Sequence, residues 1–266
     1  MDLNFLRNVA KPTRYTGGEV NEVIKAESPG LFHLALAFPD GYDIGMSTTG
    51  LKILYDIANR KEDIWAERVF MPMPDMMGEM EARGLPLYGL ESKRALKDFD
   101  AVGFTLQFEL TYTNILHMLR LGGVPLRAAE RGPEHPVILA GGPCAVNAEP
   151  LAPFLDAVFI GDGEEGLLDL CEEVRATKGR PRVEVWRALA KVEGAYVPGL
   201  YRTESDANTG VEVVTGPTEE GVPFPVRRRI LTDLAPYPFP TQLLVPHHEV
   251  VHDRYSIEIA RGCAVG

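Results

Sequence analysis

From about residue 31 the chain alternates short apolar runs with stretches of helical spacing, the pattern of βαβ units and a mostly parallel sheet. Residues 31–38 are apolar except for His33, Pro39-Asp40-Gly41 breaks the run, and 47–60 places Leu51, Leu54, Tyr55 and Ala58 on one helical face. Further strands are predicted at 66–71, 101–106 and 137–140, each followed by a turn and a helical stretch, and at 157–160 before a helix starting near Glu164. Strands covered by helices on both faces read as unbroken apolar runs, as Asp156-Ala157-Val158-Phe159-Ile160 does after its first residue. The expectation is an α/β fold, an open doubly wound sheet of five strands with crossovers. Such sheets bind ligands beyond the carboxyl ends of their strands, here the loops that start at Pro39, Gln107, Gly141 and Gly161.

After about residue 195 the texture changes to short strand-like pieces at 196–201 and 211–214, separated by polar turns such as 206–210. Pro236, Pro238, Pro240 and Pro246 then predict a stiff extended connection, followed by one more strand at 256–260. The organisation expected is a lead-in over 1–30, an α/β domain over 31–194, a small β-rich appendage over 195–235, a proline-rich linker over 236–254, and the start of a further domain over 255–266.

With 266 residues, 45% hydrophobic and 24% charged, the chain can bury a substantial core, and disorder is not expected. A formal net charge of -11 argues against a sequence-independent grip on nucleic acid. The one basic run, 226–230, reads as a solvated strand edge or turn, so there is no direct evidence for a nucleic-acid partner. Three widely spaced cysteines, Cys144, Cys171 and Cys263, and no secretory leader point to a reducing, cytoplasmic setting. No apolar stretch approaches the ~20 residues needed to cross a bilayer, which removes membrane roles.

The chemistry-bearing residues sit in the loops. The first reads Asp40-Gly41-Tyr42-Asp43-Ile44-Gly45 and continues through Met46, Ser47 and Thr48 into a helix start. It is either a loop that holds a cofactor or substrate, using glycine backbone and a helix N-terminus, or an ordinary βα turn with an N-cap. The fourth, Gly141-Gly142-Pro143, follows a buried strand directly and would let a flat ligand approach the backbone. The fifth, Gly161-Asp162-Gly163-Glu164-Glu165, places acidic residues at a helix start, where capping alone explains them. His247, His248 and His252 with Glu249 or Asp253 are read as a surface or interdomain contact ahead of a metal site, and Met71, Met73, Met76, Met77 and Met80 as flexible packing beneath a loop.

In order and at the right strand ends, these pieces resemble the cobalamin-binding domain at the front of many radical S-adenosylmethionine (SAM) proteins. There a Gly-Gly-Pro loop is followed by Glu-Pro, here Glu149-Pro150, and then by a strand ending in Gly-(Asp or Glu)-Gly-Glu-Glu, here 161–165. The resemblance implies a Rossmann-like sheet of the cobalamin-binding type, with Asp40, Tyr42, Gly45, Ser47, Thr48, Gly141, Gly142, Pro143, Gly161, Gly163 and Glu164 as candidate cofactor-binding residues. One departure matters. Carriers that replace the nucleotide base with histidine use Asp-x-His-x-x-Gly, whereas this chain has Asp40-x-Tyr42-x-x-Gly45, and a phenol must lose a proton of pKa about 10 before it ligates well. Either cobalamin binds without a protein ligand below the cobalt, or the fold holds something else.

The last segment, Ile257-Glu258-Ile259-Ala260-Arg261-Gly262-Cys263, resembles the opening strand and loop of the radical SAM barrel, where Arg-Gly-Cys leads into Cys-x-x-x-Cys-x-x-Cys. The resemblance makes Cys263 the first of three ligands of a 4Fe-4S cluster whose open iron takes SAM, and the chain a truncated parent enzyme that is inactive alone. The implied function is the N-terminal portion of a radical SAM enzyme whose front domain binds cobalamin or a related small-molecule cofactor, and whose missing C-terminal domain is its other partner. The alternative is a non-catalytic ligand-binding or docking module that lost cobalt ligation. A nicotinamide enzyme is disfavoured because no Gly-x-Gly-x-x-Gly follows the first strand.

Overall fold

The computed structural model describes residues 3–258 and 261. The alternation of apolar runs and helical stretches becomes β1 (Phe32–Phe38), α1 (Tyr42–Gly45), α2 (Thr49–Asn59), β2 (Ile64–Phe70), α3 (Pro74–Arg83), β3 (Ala101–Thr105), α4 (Tyr112–Leu121), β4 (Val137–Gly141), β5 (Ala157–Phe159), α5 (Gly163–Ala176), α6 (Arg182–Leu189) and β6 (Ala195–Tyr196). The sheet runs β2-β1-β3-β4-β5-β6, parallel through β5. Strand order reverses between β1 and β3, the place where open α/β sheets form a ligand crevice. Helices α2 and α5 touch each other, and α4 reaches α3 through Arg120 and Glu81.

Two elements differ from the pattern read in the sequence. Residues 195–196 leave the predicted appendage and pair antiparallel with β5 as a sixth strand, and the appendage itself is the hairpin β7 (Tyr201–Ser205) and β8 (Glu212–Pro217). A two-residue strand carries no periodicity to read. Between β4 and β5 the expected helix is replaced by two 3-10 segments, Pro143–Asn147 and Glu149–Phe154. Pro150 and Pro153 cannot donate to an α-helical ladder. In the methionine-rich stretch, by contrast, Pro74 stands at the first turn of α3, where its missing N–H costs nothing, and Met76 and Met80 are buried.

Asp156 shows how the sheet tolerates a charge at the head of an apolar strand. Its fully buried carboxylate accepts from Arg131 Nη1 at 2.9 Å, the Ile138 amide at 2.7 Å and Trp186 Nε1 at 2.8 Å. The proline-rich segment packs back on the domain through buried Leu244 and Val250. Residues 256–258 form no strand, and 259–260 and 262–266, including Cys263, lie outside the described residues.

Candidate functional site

A slot of about 560 Å³ opens between the sheet and the α2/α5 pair at the carboxyl ends of the strands. That volume is in the range of small-molecule sites. Strand register builds its floor: Leu36, Gly103 and Leu139 form one cross-strand row, and Thr105, Gly141 and Phe159 the next. In a central strand covered on both faces, Gly103 and Thr105 are nonetheless only partly buried, because the slot lies over them. A Cβ at Gly103 would meet one atom within 4 Å, the Ala35 carbonyl oxygen at 3.9 Å, so it would stand in the slot. A Cβ at Gly50 would meet none. Thr49, Ile53 and Leu54 from α2 face Leu167 and Leu170 from α5 across the slot.

The loops after β4 and β5 close its end. Gly141, Gly142, Pro143, Gly161, Gly163 and Glu164 all line it. Gly161 serves packing as well: at φ +141° its Cβ would fall 2.2 Å from the Arg229 carbonyl oxygen, and the two residues form a parallel bridge. The basic run therefore has a structural task, with the Arg229 guanidinium paired to Glu165 and Asp169. Arg261 reaches the same end, binding Glu164 at 2.5 Å, Asp162 at 3.4 Å and Glu258 at 2.8 Å. The Glu164 carboxylate is buried, and its second oxygen has no hydrogen-bond partner.

The first loop takes a different place. Asp40, Tyr42, Gly45, Ser47 and Thr48 do not line the slot. Asp40 accepts from the Gly41 amide at 2.7 Å, Ser47 and Thr48 donate to the Asp43 and Ile44 carbonyls, and a Cβ at Gly45 would strike the Phe70 ring. Tyr42 points inward and donates to Glu19 at 2.7 Å, in a buried cluster where Arg68 also binds Glu19 and Glu91. Burial, then the Glu19 charge, pushes the Tyr42 phenol far above its ordinary pKa, so it stays protonated. Segment 247–252 covers the loop: His248 stacks on Tyr42 and meets Asp43 at 3.2 Å, and the His252 amide donates to Ser47 Oγ at 3.0 Å. Burial alone would raise Asp43, but hydrogen bonds from Arg14 and Lys11 hold it at about 2. The histidines thus act as a contact between segments, His247 meeting the Gly17 carbonyl oxygen at 3.1 Å.

Compared with known proteins, residues 50–198, more than half of the chain, match the family described as radical SAM proteins, N-terminal. The chain belongs to that family. A second match is an uncharacterized protein of Methanocaldococcus jannaschii, 25% identical over 133 residues, half of this chain and 24% of that relative. The chain therefore spans about a quarter of the relative it matches. No solved structure matches.

The radical SAM N-terminal segment includes β3, β4, β5 and α5, hence most of the slot. Among the described residues no group of three or more His, Cys, Asp and Glu is arranged to hold a metal ion, and burial pushes the Cys171 thiol up to about 12. Tested against cobalamin, the slot leaves open room over Gly103, whereas Tyr42 does not line it and donates its hydroxyl to Glu19. No helix among the described residues is long and apolar enough to cross a membrane. Sequence reading did not single out Gly103, Thr105, Leu167 or Leu170. The signal for Gly103 was present, since a glycine inside an apolar strand marks a place where another group approaches closely.

Proposed function

We propose that this chain is the ligand-binding front domain of a radical SAM enzyme, and that its slot holds cobalamin or a related molecule with an extended apolar portion. The observation that supports it best is the room left over Gly103 in the middle of the sheet, next to the glycine-rich ends of β4 and β5. Gly141, Gly142 and Pro143 would wall the bound molecule on one side and Gly161, Gly163 and Glu164 on the other, with Leu167 and Leu170 against its apolar part. Tyr42 supplies no metal ligand, so the chain would hold cobalamin without a protein group below the cobalt. In the parent enzyme a C-terminal domain carries a 4Fe-4S cluster and SAM, with Cys263 as the first cluster thiolate, and that pair supplies the radical chemistry. Domain limits near 31–194, 195–235, 236–254 and 255–266 belong to the same reading.

Cobalamin titration of the chain and of Gly103→Leu, followed by absorbance and melting temperature, tests this. Saturation at 100 times Kd stabilises the parent by about 2.7 kcal/mol, while the variant, whose new side chain fills the slot, keeps its fold and loses the shift. Absence of binding in both overturns the cobalamin reading. The second reading, a non-catalytic docking module, is favoured by the inward Tyr42 and the covered first loop. It expects no ligand shift and unchanged partner binding in Gly103→Leu.

A further inference from the structure

Glu67 is a buried acid without a counterion. It stands on β2, the edge strand, fully buried, and among the described residues no lysine or arginine pairs with it. Its hydrogen bonds come from Ser92, the amide at 2.8 Å and the hydroxyl at 2.8 Å to each oxygen. A carboxylate buried without a paired cation is far more costly than a neutral carboxyl, so Glu67 favours its protonated form. Burial pushes it up to about 7, with the Ser92 amide pulling down and the Glu91 charge pushing up.

The groups that face Glu67 are already engaged. Turn 88–95 brings Glu91, Lys93 and Arg94, but Arg94 is held by Glu27 and His33, and Lys93 is shared with Glu22, Glu91 and Glu19. On β1 its register neighbour is Ala35, and His33, two residues earlier on the same face, meets Glu27 at 3.2 Å. The segment before β3 brings the Phe99 ring, which with Glu67 fills the space beside Gly89. The same turn covers the free edge of β2. The Leu90 amide donates to the Arg68 carbonyl at 2.9 Å, the Arg68 amide donates to Glu91 at 2.8 Å, and Glu91 binds the Arg68 guanidinium at 2.6 Å. Lys93 stands at φ +62°, a backbone conformation that a non-glycine residue keeps only where contacts hold it.

We infer that turn 88–95 is a pH-gated clasp on the edge strand, closed while Glu67 carries its proton and released when that proton leaves. Ionisation sets a second negative charge against Glu91 in the same dry contact, and lifting the turn lets water reach both carboxylates. Release is felt at the first loop, because Glu91 shares Arg68 with Glu19, and Glu19 accepts the Tyr42 hydroxyl.

Hydrogen–deuterium exchange at pH 6 and pH 8.5, read as protection factors so that the intrinsic pH dependence of exchange cancels, tests the clasp. A carboxyl that titrates at about 7 in the closed turn and at its ordinary 4.5 in the open one lowers protection of the Arg68, Leu90 and Ser92 amides about tenfold over that interval. Protection of the β3 amides is expected to exceed that of the turn at both pH values, which marks the opening as local. Glu67→Gln is expected to hold the turn's protection constant. A carbon-13 carboxyl titration of the unsubstituted chain reads the same group without any variant and is expected to give a Glu67 midpoint near 7. A midpoint below 5 overturns the inference, as does turn protection that is equal at the two pH values, that falls equally in Glu67→Gln, or that matches β3.

Discussion

Replacing Arg68 with methionine keeps the length of the stem and removes one charge from a buried cluster. The guanidinium is fully buried and binds Glu91 at 2.6 Å through Nε, and Glu19 at 2.8 Å and Glu22 at 3.0 Å through Nη2. Burial alone would raise the Glu19 carboxyl, and the Arg68 charge and hydrogen bond pull it below its usual value. In the variant Glu19 and Glu91 lose the cation they share. Breaking a buried ion pair by removing one partner costs about 3–5 kcal/mol, so we expect a loss of about 4 kcal/mol at pH 8. The sign of its pH dependence follows from linkage. Without Arg68 the folded-state pKa of the Glu19 carboxyl, which burial alone raises, lies above the unfolded value, so the folded state favours its neutral form, and the penalty shrinks as pH falls toward the unfolded carboxyl range. Each pKa unit is worth about 1.4 kcal/mol. Urea unfolding of both proteins at pH 5 and pH 8 reads the difference. A loss under about 1 kcal/mol, or one no smaller at pH 5, refutes the assignment of Arg68 as the charge that neutralises this cluster.

Tyr42→His is expected to leave cobalamin spectra unchanged and to destabilise the chain by about 2 kcal/mol, since the ring packs inside against Phe70 and His248 and loses its bond to Glu19. A band shift specific to the variant would show that position 42 reaches the ligand. Glu67 has its pKa raised to about 7, chiefly by burial, so its neutral form is favoured on folding, and stability falls as pH rises from the unfolded carboxyl range to 7. Glu67→Gln should remove about 3 kcal/mol of that slope and be the more stable protein at pH 8, measured by thermal melts across pH 5–8. Gly161→Ala should cost about 1–3 kcal/mol and speed exchange at the Asp162 and Arg229 amides, which bond across the bridge it would break.

β1, β3, β4 and β5 were legible because each is a buried, largely apolar run, β2 was expected at 66–71 despite the Glu67 and Arg68 it carries, and α2 and α5 were legible because their apolar positions recur at helical spacing. The same logic located two walls of the slot, since glycines placed directly after a strand land at the sheet's ligand edge. Local sequence could not supply partners. Tyr42 reads as a substituted ligand until Glu19, 23 residues away, accepts its hydroxyl, and nothing beside Arg68 in the chain names Glu19, 49 residues away, as its partner. Nor does any local pattern announce that His248 and His252 return over 200 residues to cover the first loop. The hydrophobic period fixes which residues form strands and helices and which loops share an edge, because it is written in neighbouring positions. Which loop stays open to a ligand, and which is covered, depends on buried charges and returning segments whose pairing is a property of the packed chain, and only the tertiary structure decides it.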